Sequence, residues 1–254
     1  MTKRLDGKVA LITGTGGGQG QAAAVKFAEE GALIIGCDLF EEGNLETVAA
    51  VEAGGGTMTG MAPVDLSDPE QAKAWVEQAA AVHGRIDVLY NNASAPKFVL
   101  MPDLSVEDWQ FGIRNELDLV FYVTKFAWPY LAERGGVIIN TASISAYVAT
   151  PDVGMAAHCA AKGGVLALTR AFAVDGAKHG IRAVSISPGP IKTPGAIKEY
   201  LHIPGAEEAV INQLLVDRLG LSGDVAALAA FVASDEAAFI TGSDVLIDGG
   251  MTAL

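Results

Sequence analysis

The sequence predicts an α/β fold in which a parallel sheet of about seven strands carries helices on both faces. Short β-branched and aliphatic runs alternate with longer helical patterns along the chain. These runs are almost continuously apolar, which is typical of parallel strands that are buried on both faces. The predicted strands span residues 9–13, 32–37, 57–64, 86–91, 136–141, 182–187 and 244–247. Because no linker-like segment interrupts the 254 residues, we expect a single doubly wound domain over residues 1–254.

The composition argues against several classes of protein. The formal net charge of −13 repels nucleic-acid phosphates, so we expect no nucleic-acid partner. No apolar run approaches the roughly twenty residues of a membrane span, and residues 1–20 do not resemble a signal peptide. Cys37, Cys159 and the four histidines are scattered, so the sequence predicts no metal site. We therefore expect a soluble cytoplasmic protein with no membrane partner.

A glycine-rich turn follows the first predicted strand and leads into a helical pattern. Glycines allow backbone amides to approach a pyrophosphate, and the start of a helix supplies further donors. The position of this turn at the first strand-to-helix junction is typical of the Rossmann dinucleotide site. The candidate binding residues in the turn are Thr13, Gly14, Gly18, Gln19 and Gly20.

Asp38 directly follows the second predicted strand. A carboxylate at this place can accept hydrogen bonds from both hydroxyls of an adenosine ribose, and it repels a 2′-phosphate. Residues 15–17 and 39–42 contain no arginine or lysine that could neutralise such a phosphate. The sequence therefore favours NAD over NADP as the cofactor.

Further motifs follow Asp38 along the chain. They are Asp65-Leu66, Asn91-Asn92-Ala93-Ser94, Asn115, Ser143, Lys162, residues 188–193 and residues 239–250. Together with the glycine turn they resemble the classical short-chain dehydrogenase/reductase family from about Lys8 to the C-terminus. This resemblance implies additional cofactor contacts from Asp65, Leu66, Asn91, Ala93, Lys162, Pro188, Gly189, Ile191 and Thr193. Ser94 departs from the glycine that is usual in the family motif.

The resemblance also implies a set of catalytic residues. Ser143 is similar to the serine that binds the substrate oxygen, although Ser145 is a close alternative. Asn115 resembles an asparagine that interrupts a helix and holds a water of the proton relay. Lys162 resembles the lysine that holds the nicotinamide ribose. Four residues before it, where the family has its catalytic tyrosine, this chain has His158.

His158 and Lys162 are predicted to share one face of a helix because they are four residues apart. Imidazole can accept a proton from an alcohol and imidazolium can donate one to a carbonyl, so His158 is the candidate general acid/base. The Lys162 cation and an oxidised nicotinamide disfavour imidazolium, so we expect a neutral base suited to alcohol oxidation. Imidazole is shorter than phenol, so His158 contacts the substrate either directly or through water. Tyr147 is a second candidate phenol, or else a wall of the substrate pocket.

These observations predict an NAD-dependent oxidoreductase that acts on a small or medium, mostly apolar secondary alcohol or ketone. Two alternatives stay open: a lyase, dehydratase or epimerase-like enzyme of the same fold, and a catalytically silent NAD-binding protein. Residues 190–218, which proline and glycine interrupt, form a candidate substrate lid. The resemblance implies a homotetramer, with a homodimer as the alternative.

Overall fold

Parallel strands build the centre of this protein, whose computed structural model describes residues 3–253. The strands are β1 (Val9–Thr13), β2 (Leu33–Cys37), β3 (Thr57–Met61), β4 (Val88–Asn91), β5 (Gly136–Thr141), β6 (Ile181–Pro188), β7 (Ile191–Lys192), β8 (Gly220–Leu221) and β9 (Asp244–Ile247). Seven of them form one parallel sheet in the order β3-β2-β1-β4-β5-β6-β9. The short strands β7 and β8 pair with each other.

Helices connect the strands and cover the sheet. They are α1 (Gly18–Glu29), α2 (Glu41–Ala53), α3 (Pro69–His83), α4 (Val106–Ile113), α5 (Leu119–Arg134), α6 (Ala156–Gly176), α7 (Pro194–Ala196), α8 (Ala206–Ile211) and α9 (Ser222–Ala233). A π-helical segment, Arg114–Asp118, joins α4 to α5 without a break in the chain direction. Among residues 3–253, no helix has both the length and the apolar character that a membrane span requires.

The two faces of the sheet bury separate hydrophobic cores. Ala10 and Ile12 of β1 point into the core that α1 and α9 cover. Val9 and Leu11, which alternate with them, point into the core that α3, α5 and α6 cover. Strands buried on both faces need apolar residues at successive positions, and this is why the sequence shows unbroken apolar runs. The predicted single-domain doubly wound fold is confirmed.

The sheet grows in opposite directions from the pair β1 and β4. The chain moves outwards from β1 through β2 to β3, and then returns to place β4 on the other side of β1. The connections on the two sides lie on different faces, so a crevice opens at the carboxyl ends of β1 and β4. Ligands of open α/β sheets bind in this crevice, which locates the site in this protein.

Two features differ clearly from the strands that the sequence predicts, and the bounds of the other predicted strands agree within two residues. The third strand ends at Met61 rather than at residue 64, because Pro63 has no amide hydrogen to donate to the sheet. The small β7–β8 sheet was not predicted. It pairs Ile191 with Gly220, so the two ends of the candidate lid segment lie side by side, with α7 and α8 between them.

Candidate active site

The glycine turn after β1 is packed too tightly for side chains at two positions. Gly14 adopts a φ of +74°, and a Cβ there would lie 2.8 Å from the Cα of Ala93. A Cβ on Gly20 would lie 1.9 Å from the carbonyl oxygen of Gly14. The first turn of α1 therefore rests directly on the backbone of the loop, as close approach of a helix to a bound phosphate requires.

The start of α1 is open towards the crevice. Gly17 precedes the helix and provides no side-chain cap for its first amides. A Cβ placed on Gly17 would meet no atom within 4 Å, so there is free space in front of these amides. The Oε1 atom of Gln19 is buried and has no hydrogen-bond partner among residues 3–253. Free amides at a helix N-terminus fit the pyrophosphate of a dinucleotide.

The Asp38 carboxylate lies beside this turn. Its Oδ2 accepts a hydrogen bond of 2.7 Å from the Gly16 amide, and its Oδ1 accepts one of 2.9 Å from the Phe40 amide. Each oxygen keeps a lone pair for a ribose hydroxyl. The Asp38 carbonyl also accepts a 2.9 Å hydrogen bond from the Val64 amide, which brings the Asp65-Leu66 pair close to Asp38.

Other predicted cofactor residues border the same crevice. The Thr13 hydroxyl accepts hydrogen bonds of 2.9 Å from the amides of Asn92 and Ala93. The Thr193 side chain lies 3.6 Å from the place that a Cβ of Gly18 would occupy, so residues 188–193 reach the glycine turn. Asn91 is buried and donates to Thr124 and Asn140, and it therefore braces β4 against α5 and β5.

The centre of the site is a buried cluster of three ionisable side chains. His158 and Lys162 lie on α6, and Glu116 comes from the π-helical segment. The His158 Nδ1 atom is 2.9 Å from both carboxylate oxygens of Glu116. The Lys162 Nζ atom is 3.8 Å from Glu116 Oε1 and donates a 3.0 Å hydrogen bond to the Thr141 carbonyl. Glu116 has no exposed surface, and His158 and Lys162 are 9% and 4% exposed.

Attraction between the side chains of this cluster counteracts the effect of burial on their pKa values. Burial is the largest influence on Glu116 and would raise its pKa, but the hydrogen bond from His158 and the Lys162 cation outweigh it. The net pKa of Glu116 therefore lies below its ordinary value. Burial lowers the pKa of Lys162, and the attraction of Glu116 opposes that change only in part. The site is thus built to contain a carboxylate next to an ammonium.

Two further side chains fix the geometry of the cluster. The Ser94 hydroxyl donates a 2.7 Å hydrogen bond to Glu116 Oε1. The ring of Phe98 meets the His158 imidazole edge-on, with 5.4 Å between the ring centroids. Because Glu116 occupies Nδ1, the remaining ring nitrogen of His158, Nε2, is the one left to exchange a proton with a ligand.

Ser143 and Ser145 share a hydrogen bond after β5. Their hydroxyl oxygens are 3.1 Å apart, and the Ser143 hydroxyl also accepts from the Ser145 amide at 3.1 Å. Ser145 is buried at 7% exposure, whereas Ser143 is only half-buried and remains accessible to a ligand. This arrangement favours Ser143 as the residue that meets the substrate, with Ser145 behind it.

Asn115 and Tyr147 make their contacts away from His158. The Asn115 side-chain amide donates to the Phe111 carbonyl at 3.0 Å, and the backbone carbonyl of Asn115 accepts from the Ala95 amide at 3.2 Å. The predicted helix interruption at Asn115 is present as the π-helical segment, a form often found at functional sites. The Tyr147 hydroxyl donates to Asp244 Oδ2 at 3.0 Å, and the side chain is 52% exposed. These contacts favour the pocket-wall interpretation of Tyr147.

Known proteins resemble this chain over its full length. The meso-2,3-butanediol dehydrogenase of Serratia marcescens is 37% identical over 256 residues, which cover 98% of this chain and 96% of that protein. The cyclohexanol dehydrogenase of Acinetobacter sp. strain SE19 is 37% identical over 255 residues, which cover 99% and 98%. A crystal structure of a short-chain type dehydrogenase/reductase from Mycobacterium marinum superposes with a TM-score of 0.93 at 29% identity, over 100% of this chain and 98% of that one.

A family model gives the same result. Residues 14–252 match the model described as enoyl-(acyl carrier protein) reductase. The chain belongs to the classical short-chain dehydrogenase/reductase family. Members of this family use nicotinamide cofactors, and the glycine turn and Asp38 of this short-chain dehydrogenase/reductase provide a matching cradle.

Glu116 is the residue of this short-chain dehydrogenase/reductase that the motifs did not identify. It stands next to Asn115, but no motif marks it, and its partner His158 is 42 residues away. The sequence does contain a weaker signal. Val120, Val123 and Ala127 follow Glu116 at the spacing of one helix face and are all buried. A carboxylate on such a face needs a buried partner, and this requirement points to a site.

Proposed function

We propose that this protein is an NAD-dependent oxidoreductase that transfers a hydride between the nicotinamide and a small or medium, mostly apolar secondary alcohol or ketone. The printed names of two relatives, a butanediol and a cyclohexanol dehydrogenase, support an alcohol substrate. The observation that carries the proposal is the imidazole of His158, held by Glu116 beside Lys162 at the crevice of a dinucleotide fold. Such a group can take the hydroxyl proton of an alcohol as its carbon loses hydride.

Each residue of the site has a separate role in the proposed reaction. The bound nicotinamide supplies the chemistry of hydride acceptance and donation. The Ser143 hydroxyl holds the substrate oxygen, and His158 Nε2 removes its proton, either in direct contact or through one water. Lys162 binds the nicotinamide ribose and places its positive charge near the developing oxyanion. Asn115 is the candidate for holding a water of the proton relay, as the resemblance to the family implies. In the reverse direction, protonated His158 donates to the carbonyl oxygen of a ketone.

The walls around these groups support an apolar substrate. Residues 95–100, residues 145–155 and the candidate lid at 190–218 border the site, and they present exposed apolar side chains such as Leu100, Val153 and Ile197. Lys192 forms a 2.9 Å ion pair with Glu207, which ties the start of the lid to α8. A secondary alcohol with short alkyl arms fits this mixture of an apolar wall and a few polar groups.

A substrate screen tests the function. Purified protein with NAD should reduce the cofactor in the presence of at least one secondary alcohol from a panel of diols, cyclic alcohols and hydroxy ketones, measured as NADH absorbance across pH. Product analysis in the same reactions separates oxidation from a lyase, dehydratase or epimerase reaction, which forms product without net NADH. NAD binding without any turnover would contradict the proposal and favour a silent binding protein.

Asp38 should determine the choice of cofactor. The double substitution Asp38→Ala and Leu39→Arg removes the carboxylate that accepts hydrogen bonds from the ribose. It also adds, at a half-exposed position, a guanidinium that can bind a 2′-phosphate. We expect the ratio of kcat/KM for NADP over NAD to rise at least about a hundredfold, because each charged hydrogen bond contributes about 1.5–3 kcal/mol. Steady-state kinetics with both cofactors measure this ratio. Asp38→Asn is the matched control, and a native enzyme that already prefers NADP would contradict the assignment.

We also propose that the protein is a homotetramer, as the resemblance to the family implies. A mostly apolar groove between α5 and α6 supports an interface with a second copy; Leu117, Asp118, Phe121, Gly164, Ala167, Leu168 and Ala171 line it. Phe121 on this face is 43% exposed. Phe121→Glu should lower the molar mass measured by light scattering, because a charge in an apolar interface is unfavourable. A homodimer is the alternative assembly, and a native monomer at micromolar concentration would contradict both.

A further inference from the structure

Glu116 is a fully buried carboxylate. A carboxylate without any exposed surface is normally paired, because transfer of an unpaired charge out of water costs several kcal/mol. Both oxygens of Glu116 face His158 Nδ1, and Oε1 also receives the Ser94 hydroxyl and lies near Lys162. Three separate parts of the chain, namely the loop after β4, the π-helical segment and α6, meet at this one carboxylate.

We propose that Glu116 is a positioning residue that makes His158 a competent acid/base by fixing its tautomer and stabilising its protonated form. The inference rests on the proposed function for the reaction itself. The Glu116 carboxylate accepts a hydrogen bond from Nδ1–H of His158, so the lone pair of neutral His158 lies on Nε2. When His158 takes the alcohol proton at Nε2, the ring becomes an imidazolium whose charge is 2.9 Å from a carboxylate. Ser94 is the second positioning residue because it holds Glu116 in place.

The surrounding charges show why the carboxylate is needed. Lys162 and Cys159 face Glu116 from α6, and Ser94 faces it from the loop after β4. Without Glu116, the imidazolium would form next to the buried Lys162 ammonium with no compensating charge. Two like charges that are buried close together repel each other strongly, because little water is present to screen them. Glu116 balances Lys162, so His158 can alternate between neutral and charged forms.

Glu116→Gln separates the charge from the hydrogen bond. The glutamine oxygen can still accept a hydrogen bond from Nδ1–H, but a neutral amide does not stabilise an imidazolium by charge. We expect kcat for alcohol oxidation to fall at least tenfold, and the acid limb of its pH profile to move to lower pH by at least about one unit. The sign follows because a base that binds its proton less tightly stays unprotonated to lower pH. An unchanged kcat and profile in a folded Glu116→Gln protein would overturn the proposal.

Ser94→Ala provides a second variant with an effect of the opposite sign. Loss of the Ser94 hydroxyl leaves Oε1 to interact with His158 and Lys162 alone, so the carboxylate stabilises the imidazolium more strongly. The acid limb should therefore move to higher pH by a few tenths of a unit. The substitution is small and lies at an exposed residue, so it tests the proposal even if Glu116→Gln fails to fold. A shift of the acid limb to lower pH in Ser94→Ala would contradict the proposed arrangement.

A measurement that needs no turnover distinguishes failure of this inference from failure of the proposed function. The protein contains four histidines, so the nitrogen spectrum of histidine-labelled protein is simple, and His158→Asn assigns the His158 signal. We expect a neutral His158 with its proton on Nδ1. As the pH is raised, the imidazolium signal of Glu116→Gln should disappear at a lower pH than that of the native protein. A proton on Nε2 in the native protein would overturn the inference, whatever the substrate screen finds.

Discussion

His158→Ala lowers kcat for alcohol oxidation by about a thousandfold and leaves the NAD dissociation constant within about twofold of the native value. This is the largest effect we expect, because a positioned general acid/base contributes about 10²–10⁴ to the rate. The affinity for NAD is spared because the glycine turn and Asp38 form their contacts without His158. Steady-state kinetics and isothermal titration calorimetry with NAD measure the two quantities in the same preparation.

His158→Asn is the matched control for this prediction. The alanine variant leaves the buried Glu116 carboxylate without its Nδ1 donor, and removing a hydrogen-bond partner from a buried polar group costs about 1–3 kcal/mol of stability, and more when the group is charged. The asparagine amide can donate to Glu116 in place of Nδ1, but it cannot exchange a proton with the substrate. We expect the asparagine variant to melt near the native temperature and to be as inactive as the alanine variant. More than about a tenth of native kcat in either variant would remove His158 from the mechanism.

The fold was predictable because its signals are local. Each main strand is an apolar run that needs no distant partner to be visible, and the glycine turn lies within eight consecutive residues. The β7–β8 pair was not predicted, because two-residue strands have no periodicity and their partners Ile191 and Gly220 are far apart in the chain. Sequence patterns report on secondary structure far better than on such long-range pairing.

The candidate site shows the same division. His158, Lys162 and Ser143 could be predicted as candidate site residues because each stands in a motif that resembles one of the family. Glu116 was missed because its importance comes only from its contacts with Ser94 and His158, which are 22 and 42 residues away. Ser94 was noticed as a departure from the family motif, but its hydroxyl has a purpose only beside the Glu116 carboxylate. Ser94 and His158, the two residues that were predicted to depart from the family motifs, therefore contact the same Glu116 carboxylate in the folded chain.

His158→Tyr should not produce an active enzyme, although the resemblance to the family implies a tyrosine at this position. We expect kcat to fall about a hundredfold or more below the native value. A phenol acts as a base only after it ionises, and the buried Glu116 carboxylate disfavours a phenolate beside it. The Lys162 cation cannot compensate, because the same carboxylate already balances it. Steady-state kinetics over a wide pH range check this result.

Removal of the carboxylate should reverse that outcome. Glu116→Leu added to His158→Tyr frees Lys162 to stabilise the phenolate, and we expect kcat to rise at least tenfold above that of the single tyrosine variant. In the native background the same Glu116→Leu change removes the partner of His158 and should lower kcat. One substitution thus has opposite effects beside the two acid/base groups, which is the sign of direct coupling in a double-mutant cycle. Additive effects of the two substitutions would show that Glu116 and residue 158 act independently, because a merely structural carboxylate has no reason to distinguish imidazole from phenol.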